Sequence, residues 1–206
     1  MALISVSNNA LQNITAVPAS IPTGALTLIK SITASASASI SFVDGTDGVV
    51  LDSTYSSYIF KFINCHPASN NINFQFNLST DSGSNYNVTK TSTFFMAGHA
   101  EADNDSYLEY IPSNDLAQST AYQPLAYTLG NASDENLSGS MQLFNPASTT
   151  YVKHFITNTN QNASSSNALN TYVAGYGNTT SAVNAVQFRM SSGNIDDGII
   201  KLYGVK

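Results

Sequence analysis

The sequence predicts an all-β protein, an antiparallel jelly-roll-like β-sandwich preceded by an extended N-terminal arm. Three observations lead to this class. Most apolar runs are short, alternate with a period of two and are rich in Val, Ile, Thr, Phe and Tyr, which suit a pleated surface. Clusters of Asp, Gly, Asn, Ser and Pro separate these runs at intervals of roughly ten to fifteen residues, a spacing typical of sandwiches and barrels. Helical periodicity is nearly absent.

Turn signals divide the chain into roughly nine to eleven strands. The first strand is predicted at 25–33, and an extended alternation of Ala and Ser then continues to residue 43, before a turn at 44–48. Two longer segments, 98–113 and 114–129, follow in the middle of the chain. Their junction, "SNDLAQST", is expected to form a helical turn. The other predicted strands have the sequences "YIFKFINCH", "INFQFNLST", "YNVTKTSTFFMA", "SGSMQLFNP", "TYVKHFITNT", "NTYVAGYG", "AVQFRMS" and "GIIKLYGVK".

Short turns are expected to join several of these strands. Residues 67–71 form one turn, 81–83 have the composition of a hairpin turn, and 191–198 are expected to turn the last hairpin of the chain. About eight antiparallel strands packed as two sheets make a jelly roll. We therefore expect residues 25–206 to form one jelly-roll domain.

Residues 1–24 differ from the rest of the chain. They contain Pro18 and Pro22, scattered apolar residues and no clear hairpin partner. Such a segment cannot bury its apolar side chains alone, so we expect it to lie on a neighbouring subunit or another partner as a docking arm. The residues expected to make this contact are Leu3, Ile4, Leu11, Ile14, Val17 and Ile21.

The composition argues against several kinds of partner. Only 10% of the 206 residues are charged, and the formal net charge is −6 with no basic cluster to offset it, so nucleic acid is not expected to bind. No apolar run is long enough to span a membrane, and the N-terminus lacks the basic region of a signal peptide. Cys65 is the only cysteine, which excludes an intrachain disulfide and fits assembly in a reducing cytosol.

Cys65 and His66 end an apolar strand, and their adjacency raises the question of a catalytic pair. Neighbouring residues of a strand point to opposite faces, so the two side chains cannot serve each other as nucleophile and base. A small thiol after an apolar run is most often buried in the core. His66 precedes Pro67, which restricts it to an extended backbone. Core packing is therefore the expected role of Cys65.

No metal site is expected. The three histidines, His66, His99 and His154, are isolated in the sequence, whereas a zinc site needs three or four ligands. The loop "GHAEADND" concentrates Glu101, Asp103 and Asp105 and is the strongest candidate for calcium, with pairs at 44/47 and 196/197 weaker. The spacing of an EF-hand is absent, so solvated loop carboxylates are the favoured interpretation.

The sequence also offers no catalytic residues and no cofactor motif. Glycoside hydrolysis needs two carboxylates on opposite sides of a cleft, yet nearly all thirteen acidic residues lie in turns. The Gly-x-Ser-x-Gly motif does not occur, and Gly175-x-Gly177 lacks the third glycine and the βαβ context of a dinucleotide loop. A polysaccharide depolymerase using Glu101, Asp103 or Asp105 is the enzyme alternative, and we do not favour it.

Eleven tyrosines, several of them in loops rich in Asn, Ser and Gln, suggest a surface that binds sugars. A tyrosine ring can stack on a pyranose while neighbouring amides bond the hydroxyl groups. Tyrosine is also an ordinary half-buried strand residue and a common subunit contact. The glycan-contact candidates are Tyr86, Tyr107, Tyr110, Tyr122 and Tyr127.

Residues from about 50 to 206 resemble a family of virion proteins of tailed phages that infect marine and freshwater bacteria, including cyanophages. The likeness is most specific at "FNPASTTYVKHF" and "QFRMSSGNIDDGIIKLYG". It implies a structural, non-catalytic β-sandwich displayed on the particle as a capsid decoration, a fibre protein or a tail-fibre module. It supplies no catalytic residues.

The leading hypothesis is therefore a virion surface protein assembled in the host cytoplasm. Its arm would dock onto a capsid or tail partner, and its sandwich would face outward as a homotrimer or another small ring. The alternative is a tail-fibre module that recognises a polysaccharide of the host surface.

Overall fold

The computed structural model describes residues 25–206, which form twelve β-strands and no helix, and so no helix of this region could span a membrane. All strand pairs are antiparallel. In chain order the strands are β1 Leu26–Thr33, β2 Ile40–Val43, β3 Ser57–Pro67, β4 Ile72–Ser79, β5 Lys90–Ala100, β6 Ser106–Tyr110, β7 Gln123–Leu129, β8 Leu137–Phe144, β9 Lys153–Ala163, β10 Asn167–Gly177, β11 Ala185–Met190 and β12 Ile195–Val205.

The strands form two layers. The large sheet has the order β1-β12-β3-β8-β9-β10-β5-β6, and the small sheet has the order β2-β11-β4-β7. A single residue pair, Leu129 with Ala163, joins β7 of the small sheet to β9 of the large one. The large sheet thus has eight strands and the small sheet has four. We call the side of the large sheet that points away from the small sheet its outer face.

Eight of the strands follow the jelly-roll path. The four-strand orders β1-β12-β3-β8 and β2-β11-β4-β7 face each other, and the chain passes alternately between them. The remaining strands, β5, β6, β9 and β10, extend the large sheet beyond β8. The structure confirms the prediction of an antiparallel, jelly-roll-like sandwich, and it adds this four-stranded extension.

The jelly-roll path also explains which local predictions were wrong. A turn does occur at 81–83, but β4 pairs with β7 and β11 while β5 pairs with β6 and β10, so no hairpin forms there. The expected last hairpin is likewise absent, because β11 and β12 lie in opposite sheets. A tight turn looks the same in sequence whether the chain returns to its own sheet or crosses to the other.

Three smaller expectations also differ from the structure. Twelve strands are present where nine to eleven were predicted. The Ala/Ser alternation before residue 40 is outside any strand and makes a single bridge, from Ser37 to Ile195. The segment "SNDLAQST" forms turns without a helix, since a bond from the amide of Asn114 to the carbonyl of Ile111 (3.1 Å) is not continued into a helix.

Phenylalanine rings fill the space between the sheets. Phe188 of β11 lies 5.1 Å, between ring centroids, from both Phe60 and Phe62 of β3, and each pair is edge to face. Phe76 of β4 meets Phe155 of β9 in the same way, at 4.9 Å. All five side chains are buried. Alternation along each strand sends the residues between them to the outer faces.

Candidate binding site

The outer face of the large sheet carries exposed apolar and aromatic side chains in its middle. Along β9, Phe155 and Thr157 are buried whereas Ile156 is 56% exposed. Tyr172 of β10 and Phe95 of β5 are also exposed and point to the same side. Each of these strands therefore has an apolar side chain on both faces, and the small sheet covers only one of the two.

Four residues of the outer face lie in register as a row, which we call the aromatic row. Asn158 pairs with Tyr172, Tyr172 with Phe95, and Phe95 with Tyr110. The rings of Tyr172 and Phe95 are stacked, with centroids 5.1 Å apart and an interplanar angle of 12°. The hydroxyl of Tyr172 accepts a hydrogen bond of 2.9 Å from the side-chain amide of Asn170.

A groove runs beside the aromatic row because small side chains stand between larger ones. Ser140 on β8 leaves a depression of about 300 Å³ between β3 and β9, and Ala174 on β10 leaves another of about 190 Å³. Ile156 and Tyr172 line both depressions, so the two lie side by side on the sheet. We call these two adjacent depressions together the central groove; the other residues that line them are Ile59, Lys61, Gln142, Thr157, Asn158, Phe95 and Val173.

Two lysines lie at one end of the central groove. Lys61 of β3 and Lys201 of β12 are direct partners in the antiparallel register, and both alternate outward. Neither forms a salt bridge with any carboxylate of the described residues. Like charges directly opposite each other on a sheet are destabilising. This corner of an otherwise acidic protein is therefore positively charged and without a counter-ion from residues 25–206.

A second depression, of about 350 Å³, is lined by acidic and polar residues at the end of β3 and the start of β12. His66 Nδ1 lies 4.0 Å from Asp196 Oδ2, and its Nε2 lies 3.1 Å from the carbonyl oxygen of Ala132. Glu135 accepts a bond from the amide of Ala132 and is thereby held in its own turn. Within residues 25–206, no three His, Cys, Asp or Glu side chains are placed to hold a metal ion.

Two further lysines are buried in the sandwich. Lys90 donates hydrogen bonds to Asn77 Oδ1 and to the carbonyl of Val88 (2.8 Å), and Lys153 donates to the carbonyls of Tyr151 (2.6 Å) and Thr179 (3.2 Å). Burial lowers the pKa of Lys90 to about 7 and also lowers the pKa of Lys153. Since neither amine reaches solvent, both serve the packing of the sandwich.

The five predicted tyrosines do not form one site. Tyr110 alone belongs to the aromatic row. Tyr107 points to the other face of β6 and covers Gly98. Tyr127 packs against the core. Tyr122 donates to Gln187 and lies under the guanidinium of Arg189 (3.7 Å to the ring centroid), on the small sheet. Half-buried Tyr86 lies in the loop between β4 and β5, with its hydroxyl against Gly83.

The sequence analysis missed Phe95, Ile156 and Tyr172. The signal that could have found them is the run of apolar residues on both faces in "TFFMA", "KHFIT" and "TYVAGY". The predicted docking residues Leu3, Ile4, Leu11, Ile14, Val17 and Ile21 lie outside the described residues.

The core role predicted for Cys65 is confirmed: its thiol is free and fully buried, and burial raises its pKa to about 12. The acidic residues Glu101, Asp103 and Asp105 all lie exposed in the β5–β6 turn. There Asp103 lies 3.3 Å from His99 Nε2, and neither residue enters a cleft described above.

Comparisons of the chain with protein-family models, with curated proteins and with solved structures gave no match. The fold and the site together define its class as a jelly-roll β-sandwich with an extended large sheet. The outer face of that sheet carries an open groove lined by aromatic, amide and lysine side chains.

Proposed function

We propose that this protein is a non-catalytic structural protein of the bacteriophage surface, a capsid decoration or fibre protein. It docks onto the particle through residues 1–24 and displays the jelly roll outward. The observation that carries the proposal is the jelly-roll path of eight strands, an architecture that recurs in viral capsid proteins. The resemblance of residues from about 50 to 206 to virion proteins of tailed phages supports it.

The physical demands on such a protein fit this molecule. A virion protein folds in the host cytoplasm and then works outside the cell, so it needs stability without disulfides. A core of interlocked phenylalanine rings, with the one thiol buried inside it, supplies that stability. Assembly with other copies, as a homotrimer, and with capsid or tail proteins adds to it by mass action.

Deletion of residues 1–24 tests the docking role of the arm. Particles assembled in cells that produce only the shortened protein should lack it, while the purified shortened protein keeps a β-rich circular dichroism spectrum and a cooperative unfolding transition. A matched full-length variant, Tyr151→Ala, changes an exposed residue of the sandwich and should incorporate normally. Incorporation of the shortened protein at the full-length level would contradict the assignment.

A second candidate function is a tail-fibre module that recognises a polysaccharide of the host surface. The stacked pair of Tyr172 and Phe95, open to solvent beside amide side chains, favours it, because flat aromatic surfaces flanked by amides suit sugar rings. Purified protein should then block adsorption of the phage to its host. If it binds heads that lack tails and leaves adsorption unchanged, the decoration role is favoured instead.

The non-catalytic assignment is tested separately. Host polysaccharide incubated with the purified protein should release no new reducing ends. Accumulation of oligosaccharides, abolished by substituting Glu101, Asp103 or Asp105, would support the depolymerase alternative.

A further inference from the structure

We propose that the central groove binds an acidic polysaccharide, with a sugar ring against the Tyr172–Phe95 stack and a carboxylate at Lys61 and Lys201. This inference rests on the second candidate function and names its ligand class and its site. The inference does not depend on the decoration role. That role concerns docking through residues 1–24, whereas the groove is on the outer face of the large sheet.

The aromatic row supplies the apolar contact. Tyr172 and Phe95 present their stacked rings above the sheet, and Ile156 beside them is more than half exposed. Exposed apolar side chains that lie next to one another often mark a place where another molecule binds. The stack with Phe95 and the bond from Asn170 to the hydroxyl restrict the rotamers of Tyr172, which reduces the entropic cost of binding.

Polar side chains of the groove supply the hydrogen bonds. Ser140 and Asn158 are direct partners across β8 and β9, and neither side chain has a hydrogen-bond partner among residues 25–206. Gln142 contributes a side-chain amide, whose Nε2 donates a hydrogen bond of 3.0 Å to the hydroxyl of Ser57. Hydroxyl and amide groups of this kind both donate and accept, as the hydroxyl groups of a sugar require.

The lysine pair selects the charge of the ligand. Lys61 pairs with Ser140, and Ser140 pairs with Asn158 of the aromatic row, so Lys61 lies in line with that row. Lys201 on β12 is the partner of Lys61 on its other side. Two unpaired ammonium groups side by side attract an anion and relieve their mutual repulsion by binding it. The line of paired residues from Lys201 on β12 to Phe95 on β5 crosses five strand spacings, or about 24 Å. This distance leaves room for several sugar units.

Other occupants fit the charges less well. Residues 1–24 contain apolar side chains but neither Asp nor Glu, so the arm could cover the aromatic row without neutralising the lysines. A second copy of the chain, placed face to face, would present the same lysines, and the residues that line the central groove include no carboxylate. An acidic glycan satisfies the rings, the amides and the ammonium groups together.

The test is a calorimetric titration of the full-length protein with hexamers of galacturonate, of mannuronate and of uncharged glucose at pH 7. At least one acidic hexamer should bind, and more tightly than the glucose hexamer. Tyr172→Ala should weaken that binding about tenfold through the lost stacking. The double variant Lys61→Gln, Lys201→Gln should weaken it about tenfold or more and remove its dependence on salt. Tyr151→Ala, an exposed tyrosine outside the groove, is the matched control.

Binding that is equal for acidic and neutral hexamers, absent for all three, or unchanged in Tyr172→Ala would overturn the proposal. Binding that appears only after residues 1–24 are removed would show that the arm occupies the groove of the full-length protein, and dimers dissociated by Tyr172→Ala would show that a second copy does. Either result would contradict the proposal that the full-length protein binds a glycan there. All these variants should still incorporate into particles, so failure of the glycan site and failure of the decoration role are separate results.

Discussion

Lys90 and Lys153 lie on opposite sides of the same residue, Gly177, and both side chains are fully buried. Gly177, the last residue of β10, pairs with Lys90, the first residue of β5. On its other side it pairs with Lys153, the first residue of β9. Each ammonium is bonded to neutral oxygens, with no carboxylate as a partner. Burying a lysine in this way disfavours its charged form.

Burial of Lys90 should therefore make the protein more stable as the pH rises from about 7 to about 8, below the range in which Cys65 ionises in the unfolded chain. The unfolded chain holds the proton of Lys90 up to a pKa near 10.4, whereas the folded protein releases it near its lowered pKa of about 7. The unfolded state binds more protons in this window, so the free energy of unfolding increases with pH, by at most about 1.4 kcal/mol per pH unit for one proton.

Lys90→Met should flatten this rise, as measured by urea unfolding at several pH values. Lys206→Met, which removes an exposed lysine, is the control and should leave the slope unchanged. An unaltered slope in Lys90→Met would show that this lysine keeps its ordinary pKa in the folded protein.

The thiol of Cys65 should be unreactive in the folded protein. It is fully buried, and burial raises its pKa to about 12, so almost no thiolate is present at pH 8. A maleimide or a disulfide reagent should label the protein only in denaturant, at a rate that follows global unfolding. Labelling within seconds under native conditions would contradict this burial.

Replacing Phe188 should be far more costly than replacing Phe95. Phe188 is fully buried among rings from both sheets, and removing it leaves a cavity that the two layers cannot close. Phe188→Ala should lower the free energy of unfolding by about 3–5 kcal/mol. Phe95→Ala, at a ring that is 39% exposed, should cost less than about 1 kcal/mol. Equal costs in urea unfolding would refute the packing described here.

Gly175→Ala should destabilise the large sheet. A Cβ at this position would lie 2.4 Å from the carbonyl oxygen of Thr91 and 2.8 Å from Cα of Ser92, both of them backbone atoms of β5 that cannot move alone. We expect a loss of more than about 2 kcal/mol in thermal or urea unfolding.

Gly45→Ala is the matched control for that variant. Nothing lies within 4 Å of an added Cβ there, and only the positive φ of +74° is unfavourable. It should cost about 1 kcal/mol. If Gly175→Ala proved the milder of the two, the close approach of β10 to β5 would be in doubt.

Local sequence patterns sufficed for the fold class. Alternation in "YIFKFINCH" and "YVKHFIT" marks strands, and the turn clusters between runs mark where they end, because both signals act over a few neighbouring residues. The turn at 81–83 was visible for the same reason, as was the turn predicted at 191–198, of which residues 195–198 in fact belong to β12. Their partners were not, since a jelly roll sends consecutive strands to different sheets.

For the candidate site, too, the sequence predicted the composition but not which residues become neighbours. Sequence alone determined that this chain is a β-sandwich with one unbridged thiol, rich in tyrosine and poor in charge, because composition and periodicity record the environment of each residue. Only the tertiary structure decided that Tyr110, Tyr172 and Phe95 share a row and that Lys61 stands beside Lys201. Those residues are far apart in the chain and become neighbours because their strands pair in a particular register. No local sequence pattern encodes that register.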